Sequence, residues 1–149
     1  MRIPKTLLTV LALAAFITAC TFTSTRLNQE EDRNAAEKVA KKLFELLKTK
    51  NYDTAYTLFS DSLWANTTKD KLKTVFTYSD GKLGDMKNDS LASWQTKVVS
   101  GTAPSAQYEL VYQNQYEKGP AKVEILLTQE KGKIKILGYH INSDLFLAK

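Results

Sequence analysis

The apolar residues of this chain change their spacing near Ser90, and that change constrains the fold more than any other feature. Between residues 30 and 50, Ala36, Val39, Ala40, Leu43, Phe44, Leu46 and Leu47 recur at intervals of three and four, which is one stripe of an amphipathic helix. Glu30, Glu31 and Asp32 stand at its start and Lys48 and Lys50 at its end, a distribution that complements the helix dipole. A shorter helix is predicted over 52–59, with Ala55, Tyr56, Leu58 and Phe59 facing inward. Ser60-Asp61-Ser62 then offers a cap or turn before Leu63-Trp64. A third helix is predicted over 68–77, burying Leu72, Val75 and Phe76, before Gly81 and Gly84 open a loop.

Beyond Ser90 the period falls to two. Residues 91–100 read as a strand with Ala92, Trp94, Thr96 and Val98 on one side. In 107–117 Tyr108, Leu110, Tyr112 and Tyr116 share a face, and in 121–130 Val123, Ile125 and Leu127 do. Lys131-Gly132 makes a tight turn into a last strand over 134–141. Strands of this length joined by short glycine turns form an antiparallel meander. Helices first and strands later make the domain α+β: three N-terminal helices on an antiparallel sheet of about four strands.

Ahead of the domain, Arg2 and Lys5 precede an apolar run from Leu7 to Ile17, and Thr18-Ala19 leads into Cys20, the only cysteine. That order is a secretion signal: cationic start, apolar centre, small residues at the cut. A membrane span needs about 20 apolar residues, and the stretch over 6–19, diluted by Thr6, Thr9 and Thr18, falls short of it. Ile17-Thr18-Ala19-Cys20 resembles the lipobox of bacterial lipoproteins. The resemblance implies cleavage before Cys20, acylation of its thiol and amine, and a bilayer as the first partner. Two or three acyl chains make such anchoring stable where one is marginal. The expected organisation is a signal peptide over 1–19, a lipidated cysteine and tether over 20–29, and one domain over 30–149. Fully extended, the tether reaches about 30 Å at roughly 3.3 Å per residue. With Thr21 rather than Asp after the cysteine, a Gram-negative envelope would place the protein on the periplasmic side of the outer membrane.

Composition narrows the partners. The precursor has a net charge of +5; loss of Arg2 and Lys5 leaves 19 cations against 16 acids, or +3. This mild excess is spread along the chain and lacks the dense basic patch of nucleic-acid binding. Acylation of Cys20 would leave no thiol for a disulfide, and a single histidine with no Cys/His cluster argues against a zinc site. No cofactor motif is visible.

The element order, together with Asn51-Tyr52-Asp53-Thr54-Ala55-Tyr56-Thr57-Leu58-Phe59-Ser60 and the ending Gly138-Tyr139-His140-Ile141, resembles the nuclear-transport-factor-2-like superfamily, and more narrowly its small bacterial envelope domains of unknown function. The resemblance covers about residues 34–145. It implies a cone: helices packed on a strongly curved sheet with a cavity at the open end. The superfamily hosts enzymes, ligand-binding domains and interaction modules, so fold does not choose among them. Its enzymes commonly place an Asp, His or Tyr inside the cone. His140, Asp144, Tyr108 and Tyr112 are the residues here that such a cone would present, and no catalytic pattern of the family maps onto them.

His140 is the natural acid–base candidate near neutral pH, and it faces the concavity if Ile136 and Gly138 share its side. Trp64, Trp94, Tyr108, Tyr112 and His140 are the expected pocket-lining set, drawn from a larger aromatic group that includes Tyr52, Tyr56, Tyr116 and Tyr139. Aromatics with polar tips line ligand pockets, and they also fill helix-on-sheet cores. With no catalytic set assembled by spacing, the expected function is a non-enzymatic, membrane-anchored module that binds an envelope protein or a small ligand. The alternatives are a small envelope enzyme using His140 or a cone tyrosine, and a homodimer joined through open sheets.

Overall fold

The computed structural model describes residues 22–147; the expected signal peptide and Cys20 lie outside them. β1 (Ser24–Leu27) is followed by four helices, α1 (Glu30–Lys48), α2 (Tyr52–Tyr56), α3 (Asp61–Trp64) and α4 (Lys69–Leu83). β2 (Met86–Ser100), β3 (Ser105–Tyr116), β4 (Pro120–Glu130) and β5 (Lys133–Asn142) complete the fold before a 3₁₀ turn at Asp144–Phe146. The five strands form one antiparallel sheet in the order β1-β2-β3-β4-β5. The α+β class read from the sequence holds, with one strand and one helix more than expected.

The extra strand lies in the segment expected to be tether. β1 pairs Ser24 with Ser100 and Leu27 with Lys97. It escaped notice because three of its four side chains are exposed and its hold on the sheet comes from the backbone. The corner after it is locked: Asn28, at φ 49°, donates its N–H to the Thr96 carbonyl at 2.9 Å and accepts from the Thr96 N–H through Oδ1 at 3.0 Å. Arg26 pairs with Asp32 at 2.8 Å across the same corner. The extra helix, α3, is capped by the Ser60 side chain, which accepts from the Leu63 N–H. α4 runs past the expected end at Thr77 and through Gly81, stopping at Gly84 with φ 74°. β2 begins at Met86 rather than Leu91. Its first residues are polar, and its alternation is broken by irregularities between Met86 and Asn88 and between Leu91 and Ser93.

The core lies between α1 and the inner face of the sheet. Ala36, Ala40, Leu43 and Phe44 from the predicted stripe meet Tyr108, Leu110 and Tyr112 of β3, Val123, Ile125 and Leu127 of β4 and Ile136 of β5. Phe44 meets Tyr112 edge-on at 4.9 Å between ring centres. Each fully buried aliphatic or aromatic side chain here adds about 1.5–3 kcal/mol. α1 is also tied to β2 by Asp89, which takes ion pairs from Lys41 and from Lys48. At the far edge, Ser60 donates to the Ile136 carbonyl and the Ile136 N–H donates to that of Leu58, both at 2.9 Å.

A bulge in β5 decides the fate of His140. Leu126 pairs with Gly138 but Leu127 with Ile136, so Leu137 is the extra residue. Side-chain alternation reverses across such an insertion. Ile136 faces the core before it, and Tyr139 and Ile141 pack against the core after it. His140 pairs with Glu124 on the outer face and is exposed. The expectation that Ile136 and His140 share a side is corrected by this one residue.

Candidate ligand cavity

A cavity of about 270 Å³ opens where the C-terminal end of α1 and the middle of α4 meet the first residue of β2 and the ends of β3 and β5. Its apolar wall is Leu47, Phe76 and Met86, its inner polar groups are Ser79, Asp80, Tyr116 and Tyr139, and Lys48, Lys50, Asp85 and Lys87 complete the lining. Two other clefts are larger, about 370 and 410 Å³. They are bounded mostly by exposed polar side chains, whereas this one brings buried polar groups from several elements toward one apolar floor, the usual form of a ligand site.

Each inner group is placed by its element. Phe76 and Ser79 lie one turn apart on the buried stripe of α4, where the Ser79 hydroxyl donates back to the Val75 carbonyl at 2.8 Å. Asp80 follows on the same turn and accepts the Tyr52 hydroxyl at 2.9 Å, so α2 holds its carboxylate in place. Tyr52 in turn stacks on Phe76, and Tyr139 meets Phe76 edge-on at 5.4 Å. The Tyr116 and Tyr139 side chains lie beside each other, and the Asn114 side chain meets that of Tyr116.

All three tyrosines stay protonated at neutral pH. Burial, with the hydrogen bond to Asp80 and its charge, pushes Tyr52 up to about 12. Burial likewise pushes Tyr116 up to about 12 and raises Tyr139 well above the ordinary range, because a buried phenolate loses its hydration. The cavity therefore presents neutral hydroxyls, the Asp80 carboxylate on its inner wall, and Asp85 among the lysines that complete the lining. It is suited to hold a molecule with a small apolar body and polar ends. It offers no imidazole for acid–base work. Among the described residues, no group of three or more His, Cys, Asp or Glu side chains is placed to hold a metal ion, and no helix is long and apolar enough to cross a membrane.

None of the five residues expected to line a pocket lies here. Trp64 packs edge-on to Tyr56 at 5.9 Å and against Phe59 at 5.8 Å. Trp94 sits beneath the Arg33 guanidinium, 5.4 Å from the ring centre. Tyr108 and Tyr112 are buried in the core, and His140 is on the outer face. The alternation that put these residues on the inner face was read correctly for Trp94, Tyr108 and Tyr112, but α1 covers that part of the sheet. Tyr52, Tyr116 and Tyr139, from the wider aromatic group, do build the site. Asp80 was missed because its partner is 28 residues away on another helix and no local pattern joins them.

Comparison with known proteins returns no matching family model, no matching curated protein and no matching solved structure.

Proposed function

We propose that the mature chain is a lipid-anchored envelope domain that binds a small ligand, or a protruding side chain of an envelope protein, in the cavity beside Asp80, Tyr116 and Tyr139. The cavity carries this reading: it is apolar at its floor, polar at one wall, and built without any pairing of nucleophile and base. A non-enzymatic role is what such a lining supports. The leader and the Ile17-Thr18-Ala19-Cys20 motif support the anchor. The irregularities in β2 and β5 support a cone of the nuclear-transport-factor-2-like kind, since bulges bend strands and increase twist. The bare outer face, where Val111 and Leu126 stand with the exposed Leu137, is the surface a homodimer would use.

The test uses anilinonaphthalene sulfonate as probe, an aromatic body with an anionic end. The expected result is saturable binding at one site per chain, abolished by Met86→Trp, which fills the cavity, in a protein whose circular dichroism is unchanged. Binding that survives Met86→Trp, or no binding at all, would overturn the cavity as the site.

A further inference from the structure

The two ends of the sheet carry different things. Ser24, where β1 begins, stands opposite Ser100, so the N-terminal segment and the β2–β3 turn over 101–104 lie at one end. The β4–β5 turn at Lys131 and Gly132 lies at that end as well. The cavity is at the other, where Met86 pairs with Tyr116. The 12 residues of β3 separate the two by about 40 Å at roughly 3.4 Å per residue.

The chain also leaves the anchor end with almost no slack. Gly101 has φ 130°, and a Cβ there would stand 2.5 Å from the Phe22 carbonyl oxygen and 3.0 Å from the Thr23 Cα. The backbone at 22–23 thus lies against the β2–β3 turn before strand pairing begins. Only Thr21 separates that contact from Cys20, and the two peptide steps from Phe22 to Cys20 span about 7 Å at most. The Phe22 ring itself is 80% exposed, an apolar group with no role in the core.

We infer that the end of the domain formed by Phe22 and the β2–β3 turn is seated directly on the bilayer that holds the acyl chains, with the cavity opening away from it. The inference rests on the reading of Cys20 as lipidated. The turn itself, Gly101-Thr102-Ala103-Pro104, has no charge to strip of water, and an exposed phenylalanine beside an acylated cysteine adds apolar surface to the same contact. Of the charges near it, Lys131 is paired to Asp61 at 2.7 Å, Lys133 stands opposite Glu130, and Lys135 donates to the Thr57 carbonyl. The seating is therefore apolar and steric, and insensitive to salt. Its consequence is that the cavity takes a water-borne or wall-borne molecule rather than a lipid of its own bilayer.

The experiment uses the full-length lipoprotein extracted from membranes, with Thr102→Cys or Lys118→Cys labelled by a nitrobenzoxadiazole fluorophore. Both positions are exposed, at opposite ends of the sheet. In vesicles of phosphatidylethanolamine and phosphatidylglycerol containing lipids spin-labelled at the headgroup, quenching at position 102 is expected to exceed that at 118 severalfold and to be unchanged in high salt. Equal quenching at both positions, or stronger quenching at 118, overturns the orientation. Mass spectrometry of the same samples separates the two readings. Absence of the acyl mass on Cys20 removes the anchor and the orientation with it, whereas its presence with equal quenching removes the orientation alone.

Discussion

The space between helices and sheet is filled in one half and open in the other. Toward the middle of α1, Phe44, Tyr112, Leu110 and Ile125 close it completely. Beyond Leu47, where α1 ends, Asp80, Tyr116 and Tyr139 surround a cavity instead, with Tyr52 holding Asp80 from behind. Both halves are rich in tyrosine, so residue type does not separate them. What separates them is whether the hydroxyl has a partner. The Tyr112 hydroxyl is buried without one, so Tyr112 serves as a ring; Tyr52 donates to Asp80 and the Tyr116 and Tyr139 side chains lie beside each other, so their oxygens are positioned groups.

The comparison breaks most visibly by truncation. Phe44→Ala is expected to cost about 3–5 kcal/mol in urea unfolding, because a ring is removed from a site that cannot collapse, whereas Met86→Ala at the cavity should cost clearly less. Alkaline pH attacks the open half. Between the ordinary tyrosine value of 10 and about 12, the native state keeps protons on Tyr52 and Tyr116 that the unfolded chain releases. Their contribution is full below pH 10 and is lost as pH rises through that window, on the order of 2 kcal/mol for the buried Tyr116. Thermal melts across pH 9–12 on the wild type and on Tyr116→Phe would measure it, the variant showing the shallower decline. Tyr52→Phe, which removes the bond to Asp80, should cost about 1 kcal/mol and weaken probe binding by loosening the carboxylate. Tyr112→Phe should change stability by less than about 0.5 kcal/mol, since the lost hydroxyl has no partner. A larger loss there would mean that the two kinds of tyrosine are not distinct.

Those same residues show where reading the chain by period succeeds. In β3 and β4 the ladder is unbroken, and every side chain expected on the inner face is on it. The α1 stripe is equally direct, because an amphipathic helix records its buried face in its own spacing. The failures sit where one residue is added or where backbone pairing does the work. Leu137 reverses the faces of β5 and carries His140 outside, and nothing in Ile136-Leu137-Gly138 marks the insertion. β1 has too few apolar side chains to announce a strand. The cavity was illegible for a different reason: it exists because α1 ends at Lys48 while the sheet runs on, and Tyr52 reaches Asp80 from another helix. Local period carries no information about where two layers stop covering one another.

The sheet has two outermost strands, and the fold treats them differently. Leu58 and Ser60 take up both backbone groups of Ile136 on β5, blunting that border against additional strands. Among the described residues no strand covers the outward border of β1, where the Leu27 carbonyl alone is taken, by the Gln29 side chain at 2.8 Å. Any extended segment recruited by strand addition must therefore arrive next to the N-terminal arm. Lateral growth of the sheet is thereby confined to the side on which the N-terminal segment enters the fold.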